Sequence, residues 1–383
     1  MFALFRLLAL LLISLVVLIM GNSFFITFVS LRLDLAGTSS EMIGIITASF
    51  YTGMLLASFL APSWIRRLGH LRVWILLCGV NGLLILFHAL WVDAIYWLLL
   101  RFFSGIMLGG VFVVIESWFL LLCPSRQRSL TLAIYVLAYY FATAIGQLFL
   151  YGCDLFSWTP YLEAGALSVL AIVPCIIRPI PLPNYVQSQP LHFLKTLRTS
   201  FQGFFGGFIS GMLLSCVYGL TPVYALKIGR SVPDVGTMMA VIVFGGLVLQ
   251  LPLGKWADLW NRRKVMVVTC FFSVLFSISI ALFDNIYWIQ LLLLLLFGGF
   301  SFVIYPLALA LACEKISDDQ IIAVTGGLNV TYGAGAMAGP LLAPLFMGWL
   351  GSGGLFYFLG GISLILGLVG CDVANKRINI RKR

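Results

Sequence analysis

Apolar runs of eighteen or more residues recur along the whole 383-residue chain, separated by short polar stretches. Each run is long enough to cross a ~30 Å hydrocarbon layer as a helix. None shows the two-residue alternation of barrel strands. Lipid offers no partners for backbone amides, so the runs are read as helices that satisfy their own hydrogen bonds. They fall near 7–31, 42–64, 73–92, 95–119, 129–151, 159–177, 203–225, 235–255, 265–283, 286–311, 320–349 and 355–372. Twelve spans define an all-α membrane protein. The first run is too long for a signal-peptide core and no small-x-small cleavage site follows it, so it is read as an uncleaved anchor.

Between the sixth and seventh spans lies RPIPLPNYVQSQPLHFLKTLR, residues 178–198, with four prolines. A proline-rich polar stretch of this kind cannot continue a span and is read as a linker. The chain is therefore expected to comprise an N-terminal six-helix bundle, 1–177, a cytoplasmic linker, 178–202, and a C-terminal six-helix bundle with a short basic tail, 203–383. Two basic stretches, IRRLGHLRVW at 65–74 and ADLWNRRKVM at 257–266, lie about 192 positions apart, close to half the chain. That spacing makes the two bundles pseudo-symmetric copies.

Charge orients this layout. With the N-terminus inside, nineteen of the 23 Lys and Arg fall on inner loops and three, Arg32, Lys227 and Arg230, on outer loops; Arg101 alone lies within a span. Such a bias places both termini in the cytoplasm. The net charge of +10 is then a property of topology, met by anionic lipid, and requires no nucleic-acid partner. All ten tryptophans fall at span ends. Trp64, Trp74, Trp118, Trp256 and Trp260 sit at inner ends, and Trp91, Trp97, Trp158, Trp288 and Trp349 at outer ends, as expected of an interfacial belt. The eight cysteines show neither CxxC nor metal-ligand spacing, so no disulfide and no structural metal is expected.

The loop after the second span reads Pro62-Ser63-Trp64-Ile65-Arg66-Arg67-Leu68-Gly69-His70-Leu71, and the loop after the eighth Gly254-Lys255-Trp256-Ala257-Asp258-Leu259-Trp260-Asn261-Arg262-Arg263. Both resemble the G-x-x-x-D-R-x-G-R-R loop of the major facilitator superfamily. The first keeps Arg67 and Gly69 but has Arg66 at the acidic position; the second keeps Gly254, Asp258, Arg262 and Arg263. The stretches VVIESW, YYFATAIGQL, YGLTPVYA, LPLGKWAD, YPLALALACEK and YGAGAMAGP are similar to the YcaD-like branch of that superfamily. The resemblance implies two six-helix bundles with a solute site between them at mid-membrane, and alternating access driven by a proton gradient.

Several residues are candidates for that work. Arg101, in RFFSG, resembles the R-x-x-Q-G motif of the fourth helix, with Ser104 in place of Gln. It lies about 8 Å below the outer boundary, where a charge costs about 2.5–3.5 kcal/mol. It is either a substrate-binding or proton-linked cation, or a snorkelling arginine that bonds loop carbonyls or pairs with Asp34 or Glu41. On the fifth span Tyr135, Tyr139, Thr143 and Gln147 recur at i+4 and form a polar stripe on one face. With Asn22, Thr27 and Tyr51 of the first half, and Tyr218, Thr221, Ser301, Tyr305, Asn329 and Tyr332 of the second, they line a cavity or make ordinary helix–helix hydrogen bonds. Glu116 lies about 30 Å down its span, near the cytoplasmic surface, with Arg66, Arg67 and Arg72 as expected partners. Glu314 occupies the corresponding place beside Arg262 and Arg263. These acids, with Asp258, are read as inner-gate ion pairs in preference to proton carriers. Glycines 203, 207 and 211, and the pair Gly335 and Gly339 before Pro340, are read as close-packing surfaces.

There is no GxxxxGK[ST], HExxH or nucleophile elbow, and no soluble domain to house an active site, so neither an enzyme nor a direct ATP-driven pump is expected. No cofactor is implied. The expected partners are a small-molecule solute, protons and membrane lipids, and the chain is expected to act as a monomer in the bacterial cytoplasmic membrane. The absence of a mid-membrane acid on the first span favours a neutral or anionic amphipathic solute. A lipid-handling flippase, or a non-transporting sensor with the same fold, is the competing expectation.

Overall fold

The computed structural model describes residues 2–122, 128–177, 200–314 and 321–381. Most of the linker, 178–199, lies outside the described residues, as do Arg126, Lys315 and the last two residues of the basic tail. Helix is the regular secondary structure of the described residues, and twelve helical stretches are long and apolar enough to cross a membrane. The first half holds α1 (Phe2–Leu35), α2 (Ser40–Leu68), α3 (His70–Phe87), α4 (Ala94–Leu122), α5 (Arg128–Gln147), α6 (Thr159–Leu170) and α7 (Val173–Ile177). The second holds α8 (Phe201–Lys227), α9 (Val232–Leu259), α10 (Arg262–Leu282), α11 (Tyr287–Phe302), α12 (Ile304–Cys313), α13 (Ile321–Leu350) and α14 (Gly354–Arg381).

Two of the expected spans are broken rods. The sixth is split into α6 and α7, and the tenth into α11 and α12. Each first piece ends four residues before a proline: Leu170 before Pro174, and Phe302 before Pro306. Proline has no N–H to donate to the carbonyl four residues back, and its ring crowds that carbonyl. The breaks are thus written locally in the sequence.

The chain divides into two compact units, Met1–Val186 with Gly229–Ala240, and Gln187–Ile228 with Val241–Arg383. In the first unit α2 packs closely along α4, and α1 along α5 and α6. In the second α8 packs along α13 and α10 along α14. Glycine permits the tightest crossings. A β-carbon on Gly53 would overlap the Phe102 carbonyl, and one on Gly105 the Phe50 carbonyl; Gly245 and Gly298 stand in the same relation to Leu295 and Ile242. The offsets match those of the basic loops, so the duplication extends from sequence into backbone packing. Gly211 and Gly335 seat α8 against α13 in the same way, which is the close packing expected of those motifs.

The N-terminal third of α9 belongs to the first unit. There Tyr151 and Thr237 hydroxyls lie 2.6 Å apart, and a β-carbon on Gly236 would come within 2.9 Å of the Gln147 carbonyl.

Three tryptophans depart from the expected interfacial belt. Trp74, Trp97 and Trp118 are fully buried. The Trp74 indole donates to the Ala171 carbonyl (3.3 Å) and that of Trp97 to the Trp91 carbonyl (2.8 Å), so their N–H groups are satisfied by protein rather than headgroups. Trp91, Trp158, Trp260, Trp288 and Trp349 are exposed, as a belt requires.

Candidate solute pocket and inner-end charges

In the first unit a small pocket opens between α1, α2 and α4, lined by Ile26, Val29, Ser30 and Leu33, by Ile43, Ile46, Thr47, Phe50 and Tyr51, and by Arg101. It has room for about one water molecule. Arg101 is 3% exposed, and its guanidinium carbon stands 4.0 Å from the centroid of the Phe50 ring. Its Nη1 has no hydrogen-bond partner, and Arg101 makes no ion pair among the described residues. The expected pairing with Asp34 or Glu41 is therefore not formed. The side chain is instead turned inward over a ring, a cation–π contact that replaces part of its lost hydration.

Of the expected cavity residues in this half, the pocket gathers Tyr51 and Arg101 only. Gln147 accepts from the Thr27 hydroxyl (2.8 Å) and donates to the Ser23 carbonyl (3.0 Å), with both side chains fully buried. Thr143 donates to the Tyr139 carbonyl (2.8 Å). This part of the fifth-span stripe is the seam between α1 and α5. Tyr139 is half-buried, with Phe112 and Tyr140 edge-on to it, and Asn22 is buried on α1.

In the second unit Tyr305, Asn329 and Tyr332 come together. The Tyr305 hydroxyl donates to the Asn329 side-chain carbonyl, and the Tyr305 and Tyr332 rings meet edge-on at 5.2 Å. Asn329 is exposed and both tyrosines are half-buried. Tyr218 is buried against Phe302, and Thr221 is fully buried. Ser301 belongs to a buried trio: its hydroxyl lies 2.8 Å from that of Ser273, which is 3.2 Å from that of Ser363. These hydroxyls join α10, α11 and α14.

The inner-end acids differ from expectation in one half. Glu314 pairs with Arg263 (3.5 Å) and Asp258 with Arg262 (3.1 Å), as expected. Glu116, however, accepts from the Tyr135 hydroxyl (3.1 Å), while Arg66, Arg67 and Arg72 are exposed and make no ion pair among the described residues. The reason is helical phase. Neighbouring positions point about 100° apart; Ser117 faces α3, where it meets the His70 ring nitrogen at 3.1 Å, and this turns Glu116 toward α5.

Sequence reasoning missed Phe50, Thr47 and Ser30 as pocket walls. Phe50 sits in an apolar run 51 residues from the cation it covers, with nothing local to mark it. Ser49, Thr47 and Thr52 are polar residues near it on α2, but they donate to carbonyls of their own helix, as isolated hydroxyls in apolar spans commonly do.

Among the described residues, twelve candidate spans carry glycine-seamed crossings in both units, and Arg101 is buried in the first. The Major Facilitator Superfamily model matches residues 11–201 and 203–374, and the chain belongs to that family. It is 32% identical over 343 residues to an uncharacterized MFS-type transporter of Yersinia pestis (strain Pestoides F), covering 88% of each chain. It is also 32% identical over 328 residues to the uncharacterized MFS-type transporter YcaD of Escherichia fergusonii, covering 84% of each. Among solved structures it is similar in fold to the nucleoside transporter NupG, with a TM-score of 0.77 at 13% identity, over 96% of this chain and 98% of that one.

Proposed function

We propose that the chain is a secondary active transporter that moves a small solute across the bacterial cytoplasmic membrane by alternating access, with proton coupling and both termini in the cytoplasm. The observation that carries the reading is Arg101. A buried cation with a free N–H is costly in a membrane bundle and marks a solute or ion pathway. Membership of the superfamily and the inner-loop excess of Lys and Arg support the rest.

In this reading Tyr51 and Arg101 are the solute contacts proposed in the first half, and Tyr305, Asn329 and Tyr332 those proposed in the second. The residues 1–177 and 203–383 are the moving bodies, joined by the linker 178–202. The inner-end groups Arg66, Arg67, Arg72 and Glu116, and Asp258, Arg262, Arg263 and Glu314, bias the balance of inward and outward states by a few kcal/mol at most, the two formed ion pairs supplying about 1 kcal/mol or less each.

A thermal-shift screen of purified protein against a metabolite library, followed by flux of each hit into liposomes with and without a pH gradient, tests this. A stabilising solute that is also transported is the expected result. A screen without hits, together with lipid scrambling by the same liposomes, would assign the fold to lipid handling instead.

A further inference from the structure

We infer that the Arg101 pocket is a subsite for a single carboxylate-sized monoanion, so that the transported solute is an organic anion whose charged end docks here. The inference rests on the transport reading and specifies its substrate class.

The geometry is selective in three ways. The Phe50 ring covers one face of the guanidinium, and Nη1 on its in-plane edge is unpartnered. A free N–H on that edge suits a carboxylate oxygen, which it meets through a charge-assisted hydrogen bond. Secondly, the wall offers Arg101 no carboxylate. The Thr47 hydroxyl already donates to the Ile43 carbonyl (2.9 Å), and the remaining lining is mostly aliphatic, so recognition falls to the cation. Thirdly, the pocket is too small for a whole metabolite. With room for about one water it takes a single carboxylate oxygen, while the rest of the end group and the body of the solute stay outside. One guanidinium in an apolar wall neutralises one negative charge; a dianion would retain an unpaired charge there.

The probes are benzoate, its neutral isostere benzamide and the benzylammonium cation, each at matched ionic strength, with melting of the purified full-length protein in nanodiscs as readout. Benzoate is expected to raise the wild-type melting temperature, and the other two to leave it unchanged. Arg101→Gln is expected to weaken the apparent benzoate affinity about tenfold or more, the usual weight of a charge-assisted hydrogen bond. Arg101→Lys should retain a reduced response. Thr47→Asp tests the same point from the wall, because a carboxylate built beside the cation should abolish the benzoate response in a protein that still melts cooperatively.

Equal stabilisation by benzamide, an undiminished benzoate response in Arg101→Gln and Thr47→Asp, or no benzoate response in the wild type would each overturn the inference. Spin-label distances across the inner ends of the same preparation separate this failure from that of the parent reading. Two interconverting populations without a benzoate response would leave transport standing and remove the anion; a single population would remove transport.

Discussion

The two halves are alike where backbones cross and unlike at the charged loops after α2 and α9. Gly53 and Gly105 in one, and Gly245 and Gly298 in the other, hold equivalent helix pairs at equivalent depth. At the loop after α9, Asn261 caps α10 by accepting from the Arg263 amide (3.0 Å), and the neighbouring charges are paired through Asp258 and Glu314. At the loop after α2, Gly69 closes the helix at φ +78°, donating to the Ile65 carbonyl (2.8 Å), and Arg66 and Arg67 extend into solvent. A Cβ at that φ would be strained, so glycine is required in the first loop, whereas the second turns with an asparagine cap. Backbone contact tolerates no change of size, so the crossings have stayed symmetric. Surface charge is cheap to rearrange, and the loops have diverged.

The contrast can be broken at its strongest point first. Gly105→Val and Gly298→Val should be equally damaging, since each drives a branched side chain into the opposing carbonyl. Both are expected to cost upward of about 3 kcal/mol and to leave little folded protein, read as monodisperse yield on size exclusion. A mild effect at either position would show that the two crossings are not equivalent.

Next in size is Glu116→Leu, which leaves the Tyr135 hydroxyl without its buried acceptor and should cost about 1–3 kcal/mol in thermal melting. Glu116→Gln keeps a carbonyl acceptor and should melt near the wild type while shifting the inward and outward populations seen by spin-label distances. Unchanged populations would remove Glu116 from the gate. Glu314→Gln, which removes the carboxylate charge from the pair with the largely covered Arg263, should cost up to about 1 kcal/mol. The smallest effect belongs to Asp258→Asn. That pair is an exposed i,i+4 bridge worth about 0.5 kcal/mol or less, and raising salt should erase the difference from wild type.

Twelve spans and a duplicated plan were legible in the chain because the membrane leaves one solution for an apolar run: a helix satisfying its own backbone. The breaks before Pro174 and Pro306 were also written locally, though a hydropathy reading passes over them because Leu170 and Phe302 are as apolar as their neighbours. The site was legible only in its charge. Arg101 announces itself within an apolar run, but Phe50 and the pocket wall come from other helices. The partner of Glu116 depended on a difference of one position in helical phase, since Ser117 rather than Glu116 faces α3. Thr27 and Gln147 were marked as polar, but whether such groups bond each other or await a ligand is decided by which helices adjoin, and that no single span reveals.

The glycine crossings also have an electrical consequence. Where the backbones of α2 and α4, and of α9 and α11, touch without intervening side chains, no file of water molecules can thread between the helices at those levels. Protons hop along water files, so each seam is an insulator as well as a joint. A proton leak through any membrane bundle would dissipate the gradient across that membrane, and the same glycines that bring the rods together close these seams to it.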